Sequence, residues 1–550
     1  MSIGDSGSDL RVENFQQAAL AYEKSEPKFA ADLMAAAKSA IKEGEFIKPG
    51  SLGNTLTTTN PGLPANPDWK LESRYYGGIG TFSRSRFGKP DESLVTFKAG
   101  PARNHYQGDE LSFTFWGNGD YLAVDYSSFY NPRMNPDWAH NKVSFGLTAS
   151  SPVATVMAFE STPEADLSVA ENVNDSLQLM TRPYASARAL WDYQPIPTSP
   201  KTNRRLMLLV KHPENSSLAD YLVIRDELSG QVRDKRSAEQ LRKRLQLVVE
   251  ENLTAVVRDA SYSPSQADTL FTELEAHLKM LGADAAASAT LTAAGRKAVV
   301  PGRSAPVDLE RDAPDLKKAI TEALANWEFS QEPRANIHLL ALDHPTKSKD
   351  RLDFKGQMDT DISLFVATGQ DAAAADINWF GWGHNQRPAD FVEGPMGPKG
   401  EEKPPWNGGP YHSYRHGFVL GRDVSLATNK SSKLPPYAFG EMAQWVSIPF
   451  GGKDDMSVVI YPVAKGKPSP QFEALDGGKS IKVTAGGQSE TITLATGQPV
   501  KIVRDGKETV IVPTLPPVGS PQPEKLVPRR SIEGPIDKPD DNPGTDRSAP

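Results

Sequence analysis

The spacing of apolar residues changes from a helical period to a period of two near Tyr75. Before that point, apolar positions recur every three to four residues over 15–22 and 29–41, which predicts two short amphipathic helices. After it, short runs alternate apolar and polar side chains, as in strands with one buried face. Strands are predicted at 94–98, 111–115, 121–125, 143–147, 154–159, 205–211 and 221–226, and then at 336–342, 362–367, 456–463, 480–483, 490–494 and 509–512.

Turn signals separate these strands at short and regular intervals. The chain has 45 prolines and 43 glycines among its 550 residues, and Asn118-Gly119 is a strong signal for a two-residue hairpin turn. Many short strands joined by tight turns are typical of an antiparallel sandwich. The predicted fold class is therefore mainly β, a large antiparallel β-sandwich over 75–465 that follows the two helices.

A helical pattern interrupts the strands over about 231–325. Apolar residues recur at helical spacing before and after Ser263-Pro264, which predicts a helical hairpin inserted into the sandwich. Residues 284–312 are rich in Ala, Gly and Pro, and we expect them to form a mobile return from this hairpin.

Three further regions complete the predicted organisation. Residues 49–74 form a linker, and residues 466–512 form a small C-terminal β region. The stretch 513–550 holds ten prolines in 38 residues together with many charges, which predicts a disordered tail.

Charge and composition narrow the function. A net charge of −8 argues against a general nucleic-acid binder. The absence of cysteine excludes disulfides and thiolate metal sites, and no apolar run reaches the roughly 20 residues of a membrane span. The first ten residues are polar and acidic, so they do not read as a signal peptide.

Polar residues with metal-binding or acid–base chemistry gather around one predicted hairpin. His105 and Gln107 share a side of an extended chain, Asp125 follows the second hairpin strand, and His140-Asn141 lies soon after. The hairpin should bring Asp125 back toward Gln107. One carboxylate, one imidazole and one amide oxygen could bind a divalent cation, and a hydrogen-bonded structural His–Asp pair is the alternative.

The order of these residues resembles the heparinase II/III-like polysaccharide lyases. That family has a His-x-His-x-Asp-x-x-Ser-Phe motif, then a strand that ends in Asp, then a His-Asn pair. Here the motif reads His105-Tyr106-Gln107-Gly108-Asp109-Glu110-Leu111-Ser112-Phe113, followed by Asp125 and His140-Asn141. The segment 220–227 also resembles a family strand that runs into an Arg-Asp turn, and residues 1–48 resemble the end of the family's α/α-toroid domain.

The resemblance implies roles for several of these residues. His105 would be catalytic, while Gln107, Asp125 and His140 would hold a structural divalent metal, zinc in preference to calcium. Gln107 replaces the histidine of the family motif, and a neutral amide oxygen is a poorer zinc ligand. No organic cofactor is expected.

Two other groups are candidates for the active site. Seven basic and three acidic residues lie between Lys70 and Arg103, so Arg84, Arg86, Arg103 and Asn104 could contact an anionic ligand, or could lie on an ordinary solvated strand face. Tyr411 and Tyr414 occur in an aromatic, histidine-containing loop and could supply a tyrosine to the cleft, although packing at the edge of the sandwich is the alternative.

The resemblance implies a lyase that cleaves uronate-containing acidic polysaccharides by β-elimination. Since most of the toroid is not in this sequence, we expect a truncated or split form that needs a toroid domain or subunit, and a periplasmic or secreted full-length protein. A non-catalytic carbohydrate-binding or structural β-sandwich is the alternative.

Overall fold

The fold is known from a computed structural model. It describes residues 12–42, 62–100, 109–125, 140–145, 148–149, 153–179, 196–214, 216–230, 235–262, 264–280, 283–303, 305–325, 333–341, 345–356, 359–378 and 442–519. The helices of these residues are α1 (Val12–Tyr22), α2 (Pro27–Lys42), α3 (Lys235–Tyr262), α4 (Ala267–Met280), α5 (Ala285–Lys297), α6 (Leu309–Asp312) and α7 (Pro314–Ala325). Within the described ranges, none of these helices is long and apolar enough to cross a bilayer.

Antiparallel strands dominate the fold. The first strands are β1 (Arg74–Tyr76), β2 (Gly80–Ser85), β3 (Ser93–Lys98), β4 (Phe113–Gly117), β5 (Asp120–Ala123), β6 (Val143–Phe145), β7 (Thr148–Ala149), β8 (Ala154–Ser161), β9 (Ala165–Leu179), β10 (Ile196–Val210) and β11 (Tyr221–Gly230). After the helices come β12 (Pro333–Leu339), β13 (Thr346–Ser348), β14 (Arg351–Phe354), β15 (Thr360–Val366), β16 (Ala373–Asn378), β17 (Met442–Pro449), β18 (Asp455–Ala464), β19 (Gln471–Leu475), β20 (Ser480–Ala485), β21 (Gln488–Thr493), β22 (Val500–Arg504) and β23 (Lys507–Val512).

Two large sheets face each other. In the first sheet, β1 to β5 pair in sequence, β12 lies beside β5 and β6, and β17 and β16 follow. The order of the second sheet is β8, β9, β10, β11, β18, β15, β14, β13. Strand β7 pairs with both β6 and β9 and so joins the two sheets. The predicted mainly-β antiparallel sandwich is confirmed.

The second sheet is buried on both faces. One face packs against the first sheet, where Phe97, Phe113 and Phe115 share a core with Leu222 and Ile460. The opposite face packs against a five-stranded C-terminal sheet, β19 to β23, through a separate core. This second core includes Leu206, Leu208, Tyr221, Val223, Val459, Val483, Ile492 and Ile502. Burial on two faces explains the unbroken apolar run of β10, since alternation requires one solvated face.

The helices α3 to α7 form a unit with its own core. Leu253, Phe271, Leu291 and Ile320 are buried together, from four different helices. The predicted mobile return over 284–312 is wrong, because α5 occupies 285–297. The Asp284 side chain accepts a hydrogen bond from the Ala287 amide at 2.6 Å and caps this helix, and alanine is the strongest helix former.

Helices α1 and α2 pack against each other. Ala19, Ala30 and Met34 form a small core with Leu63, and Tyr22 contacts Phe29 edge to face. Of the predicted tail, residues 513–519 lie within the described structure. The guanidinium of Arg204 donates hydrogen bonds to the carbonyls of Pro516 and Pro517, so this part is held against the second sheet and was wrongly predicted to be disordered.

Candidate functional site

The hairpin of β4 and β5 positions the predicted site. Asn118 and Gly119 form its turn with φ of 54° and 78°, the left-handed conformation of both central residues in a type I′ turn. Beyond β5, the Val124 amide donates a hydrogen bond to the carbonyl of His338 in β12. These two constraints return the chain to the start of β4 and place Asp125 beside Ser112.

Asp125, Ser112 and His140 form one buried group. The Oδ1 of Asp125 accepts a hydrogen bond from the Ser112 hydroxyl at 3.1 Å and lies 2.9 Å from the Nδ1 of His140. All three side chains are buried. The structure therefore brings together Ser112 of the motif with Asp125 and His140, which follow it in the sequence. These three residues and Asn141 are called the Ser112 cluster below.

Asn141 fixes this cluster to two strands and to the segment that follows β5. Its amide nitrogen donates to the carbonyls of Phe113 and Val124 at 2.7 and 2.9 Å, and its oxygen accepts from the His338 amide at 2.6 Å. Its backbone amide also donates to the Ser112 hydroxyl at 3.1 Å. Buried polar groups are expensive unless they are hydrogen-bonded, so one asparagine satisfies groups on β4, β12 and the segment after β5.

The environment of His140 favours its charged form. Burial alone would lower the pKa of this imidazole, because a low dielectric penalises the charged state. The Asp125 carboxylate and its hydrogen bond outweigh burial, and the pKa of His140 lies above the ordinary value. The carboxylate of Asp125 therefore favours the protonated form of the buried imidazole.

A second charged group lies next to the cluster. Lys98 contacts the carboxylate of Asp109, and its Nζ is 3.5 Å from the Oε1 of Glu110. The Gly100 amide donates to Glu110 at 3.0 Å. Burial raises the pKa of Glu110 to about 7, although Lys98 and this hydrogen bond oppose the shift. Sequence reasoning did not single out Glu110, because it occurs beside the more conspicuous Asp109.

Leu111 links these two groups in an unusual conformation. Its φ is 67°, in the left-handed region that side chains other than glycine rarely adopt. Its amide donates to the carbonyl of Lys98 at 3.0 Å, and the next amide, that of Ser112, donates to the carbonyl of Asp109 at 2.9 Å. This turn directs the Ser112 hydroxyl toward Asp125.

Arg84 and Arg86 are held by carboxylates. Arg84 forms an ion pair with Glu92 at 2.6 Å, and Arg86 pairs with Asp91 and with the buried Asp220. Each arginine side chain is only 13% exposed. These contacts favour a structural role for both, and contact with a substrate stays a prediction.

The other predicted site residues fall outside the described structure. These residues are Arg103, Asn104, His105, Gln107, Tyr411 and Tyr414. Within the described ranges no group of three or more His, Cys, Asp or Glu could hold a metal. Asp125 and His140 lie in contact there, and their role as metal ligands stays a prediction. The Arg225-Asp226 pair lies inside β11 and not in a turn.

Comparison with known proteins gives a limited likeness. No family model matches the sequence, and no curated protein matches it. Among solved structures, the chain is similar to heparan sulfate lyase HepC from Pedobacter heparinus, with a TM-score of 0.41 and 10% identity over 94% of this chain and 50% of that one. It is also similar to a heparinase III gene product, with a TM-score of 0.41 and 12% identity over 92% and 49% of the two chains. The chain thus spans about half the length of the structures it matches.

Proposed function

We propose that this chain is the β-sandwich part of a polysaccharide lyase that cleaves uronate-containing acidic polysaccharides by β-elimination. The observation that carries the proposal is the Ser112 cluster. Its members come from three separate parts of the sequence pattern: the motif itself, the Asp after the next strand, and the His-Asn pair. Direct hydrogen bonds join them in the structure. A chance likeness of sequence would not require residues 112, 125 and 140 to meet.

The reaction requires three chemical tasks. The carboxylate beside the acidic C–H must be neutralised, the proton must be removed, and the leaving glycosidic oxygen must be protonated. In this proposal His105 is the base, since imidazole titrates near neutral pH. Arg103 and Asn104 bind the carboxylate, and Tyr411 or Tyr414 supplies the acid. The remaining groups come from a toroid domain or subunit.

The Ser112 cluster has a supporting role in this scheme. It is buried, so it positions the motif and does not contact a polymer. Asp125 and His140 are suitable zinc ligands by type, and Gln107 would be the third. Because Nδ1 of His140 already faces Asp125 at 2.9 Å, a metal would use the other imidazole nitrogen or replace this hydrogen bond. A bound metal would hold Asp125 and His140 together, and the buried hydrogen bond between them also does so.

The test is an assay for unsaturated uronate. The protein is tagged at its native locus, so that any adjoining domain or partner is isolated with it, and is incubated with a panel of polyuronates that includes heparan sulfate and alginate. We expect release of unsaturated product, and loss of that product in a His105→Ala variant with an unchanged melting temperature. Binding of a polyuronate without cleavage by the wild-type protein would overturn the lyase proposal and favour a carbohydrate-binding module. Extracellular or periplasmic recovery of the tagged protein would support the proposed location.

A further inference from the structure

We propose that Arg205, held by Asp226, is the positioning residue of the Ser112 cluster. Its side chain reaches from the second sheet across the sandwich and binds backbone carbonyls on both sides of the cluster. The importance of this role for catalysis rests on the proposed function, whereas the positioning itself does not.

Asp226 fixes the guanidinium of Arg205 in place. The two residues are directly opposite each other on β10 and β11. Nε and Nη2 of Arg205 each donate to one carboxylate oxygen of Asp226 at 2.8 Å, so the pair is bidentate. Both side chains are nearly inaccessible to solvent, and the planar pair therefore has one orientation.

The remaining nitrogen of Arg205 joins the two halves of the cluster. Nη1 donates to the carbonyl of Leu111 at 2.8 Å and also to the carbonyl of Asn141. Leu111 precedes Ser112, and Asn141 follows His140. A single nitrogen thus sets the separation of Leu111 and Asn141, which are 30 residues apart along the chain.

The backbone at Leu111 explains why such a donor is needed. Its left-handed conformation, with φ of 67°, persists only where the surroundings hold it, and its carbonyl points into a buried region that needs a donor. The guanidinium of Arg205 also lies 5.6 Å from the centre of the Phe113 ring, within the range of a cation–π contact. Arg205 therefore contacts both residues that flank Ser112.

Arg204 provides a matched control on the same strand. It is as buried as Arg205, but it faces the opposite side of the second sheet, where it pairs with Glu171 and binds the carbonyl of Pro517. Replacing either arginine by lysine removes the planar guanidinium with its several N–H donors and keeps the positive charge. Only the change at 205 should reach the cluster.

The experiment compares Arg205→Lys with Arg204→Lys by NMR. The protein is labelled with ring-¹⁵N histidine, and the His140 signal among nine histidines is assigned from its absence in a His140→Gln variant. We expect Arg205→Lys to shift or broaden the His140 ring signal and to speed exchange of its hydrogen-bonded proton at least about tenfold, since opening of the Ser112 cluster controls that exchange. Arg204→Lys should leave both unchanged. A folded Arg205→Lys protein with the wild-type His140 signal would overturn the proposal.

A second variant covers loss of folding. Asp226→Asn keeps the shape of the pair but removes the anion that orients Arg205, and we expect the same change in the His140 signal. Failure of both variants to fold would overturn the proposal too, because Arg205 would then be a general folding residue. If the wild-type protein lacks lyase activity while the His140 signal depends on Arg205, the proposed function fails and the positioning role stands.

Discussion

At the scale of single residues, the Ser112 cluster is a group of buried polar atoms that satisfy one another. Each hydrogen bond in such a group contributes little net stability, but removal of one partner leaves another polar atom buried without one. The imidazole of His140 and the carboxylate of Asp125 are its two ionisable members. Since the two side chains are in direct contact, they could stabilise the fold without a metal. A test for bound metal must therefore be separate from a test of stability.

The metal prediction is tested at His140. If Gln107, Asp125 and His140 bind zinc, the purified protein contains a divalent metal in stoichiometric amount and His140→Ala loses it. Elemental analysis of both proteins measures this, with His212→Gln as a control that keeps the metal. A metal-free wild-type protein would show that the prediction is wrong. Any destabilisation of His140→Ala would then report only the loss of the buried contact with Asp125, about 1–3 kcal/mol.

Some residues of the site could be predicted from the sequence, and others could not. Asp125 could be placed near the start of β4, because Asn118-Gly119 specifies a two-residue turn and thereby the register of the hairpin. The role of Arg205 could not be predicted, because its contacts with Leu111 and Asn141 join residues that are 94 and 64 positions apart. No local pattern records a contact of that separation.

At the scale of elements, the hairpin turn is the feature on which the site depends. A Cβ on Gly119 would lie 1.9 Å from the carbonyl oxygen of Pro90, so a neighbouring loop passes directly over the turn. The Gly119 amide also donates to the carbonyl of Glu92. The turn is thus fixed both by its own conformation and by this loop.

Replacement of Gly119 by alanine should therefore disrupt the hairpin. We expect a loss of about 2–4 kcal/mol, from the unfavourable φ and from the clash with Pro90. Gly88→Ala is the matched control, because Gly88 has a φ of 73° with open space around it, and the expected cost there is only about 1 kcal/mol. Chemical denaturation measures the stability loss of each variant, and hydrogen exchange of the β4 amides shows whether the hairpin is affected. Equal costs would show that the loop does not contact the turn.

The helical unit α3 to α7 should lose stability separately from the sandwich. Phe271 is fully buried in its core, so Phe271→Ala should destabilise these helices by about 3–5 kcal/mol. Leu247→Ala, at a position 44% exposed, should change little. Circular dichroism of the helices and hydrogen exchange of β10 and β11 distinguish the two regions. Simultaneous unfolding of the strands in Phe271→Ala would show that the two cores are one cooperative unit.

This unit also marks where sequence reasoning failed. The segment 284–312 was predicted to be a mobile return because it is rich in Ala, Gly and Pro. Within it, however, Gly295 of α5 lies where an added Cβ would approach the Phe271 ring at 2.8 Å. A small residue at a close helix contact and a loop glycine look the same in a single sequence. Strand positions were easier to predict, because the period of two follows from one buried face.

At the scale of the whole molecule, three layers of strands are joined by apolar cores and by buried polar contacts. His212 lies at the junction between the second sheet and the C-terminal sheet. Its Nε2 is 2.8 Å from Glu490 of β21, and its backbone amide donates to Asp220 at 2.7 Å. The groups that face these carboxylates from neighbouring elements are Tyr221, which donates to Glu490, Arg504, which pairs with Glu490, and Arg86, which pairs with Asp220.

The charges of this network set a pH range for its stability. Burial would lower the pKa of His212, but Asp220 and Glu490 outweigh it and the pKa is raised. Its contribution is complete below the ordinary histidine pKa of about 6.5 and is lost as the pH rises through the raised value. Burial would raise the pKa of Asp220 and Glu490, but His212 and the arginines lower both, so their contribution is lost as the pH falls below about 4.

Attachment of the C-terminal sheet should consequently be strongest at mildly acidic pH. Hydrogen-exchange protection in β20 and β21, corrected for intrinsic exchange rates, should peak between about pH 5 and pH 6.5 and weaken on both sides. His212→Gln keeps a hydrogen-bond donor without the titrating charge, so it should flatten the alkaline side. Glu490→Gln should flatten the acidic side, because its amide no longer titrates there. If protection in the wild-type protein rose steadily from pH 6 to pH 9, the buried histidine could not be the cation that joins the two layers.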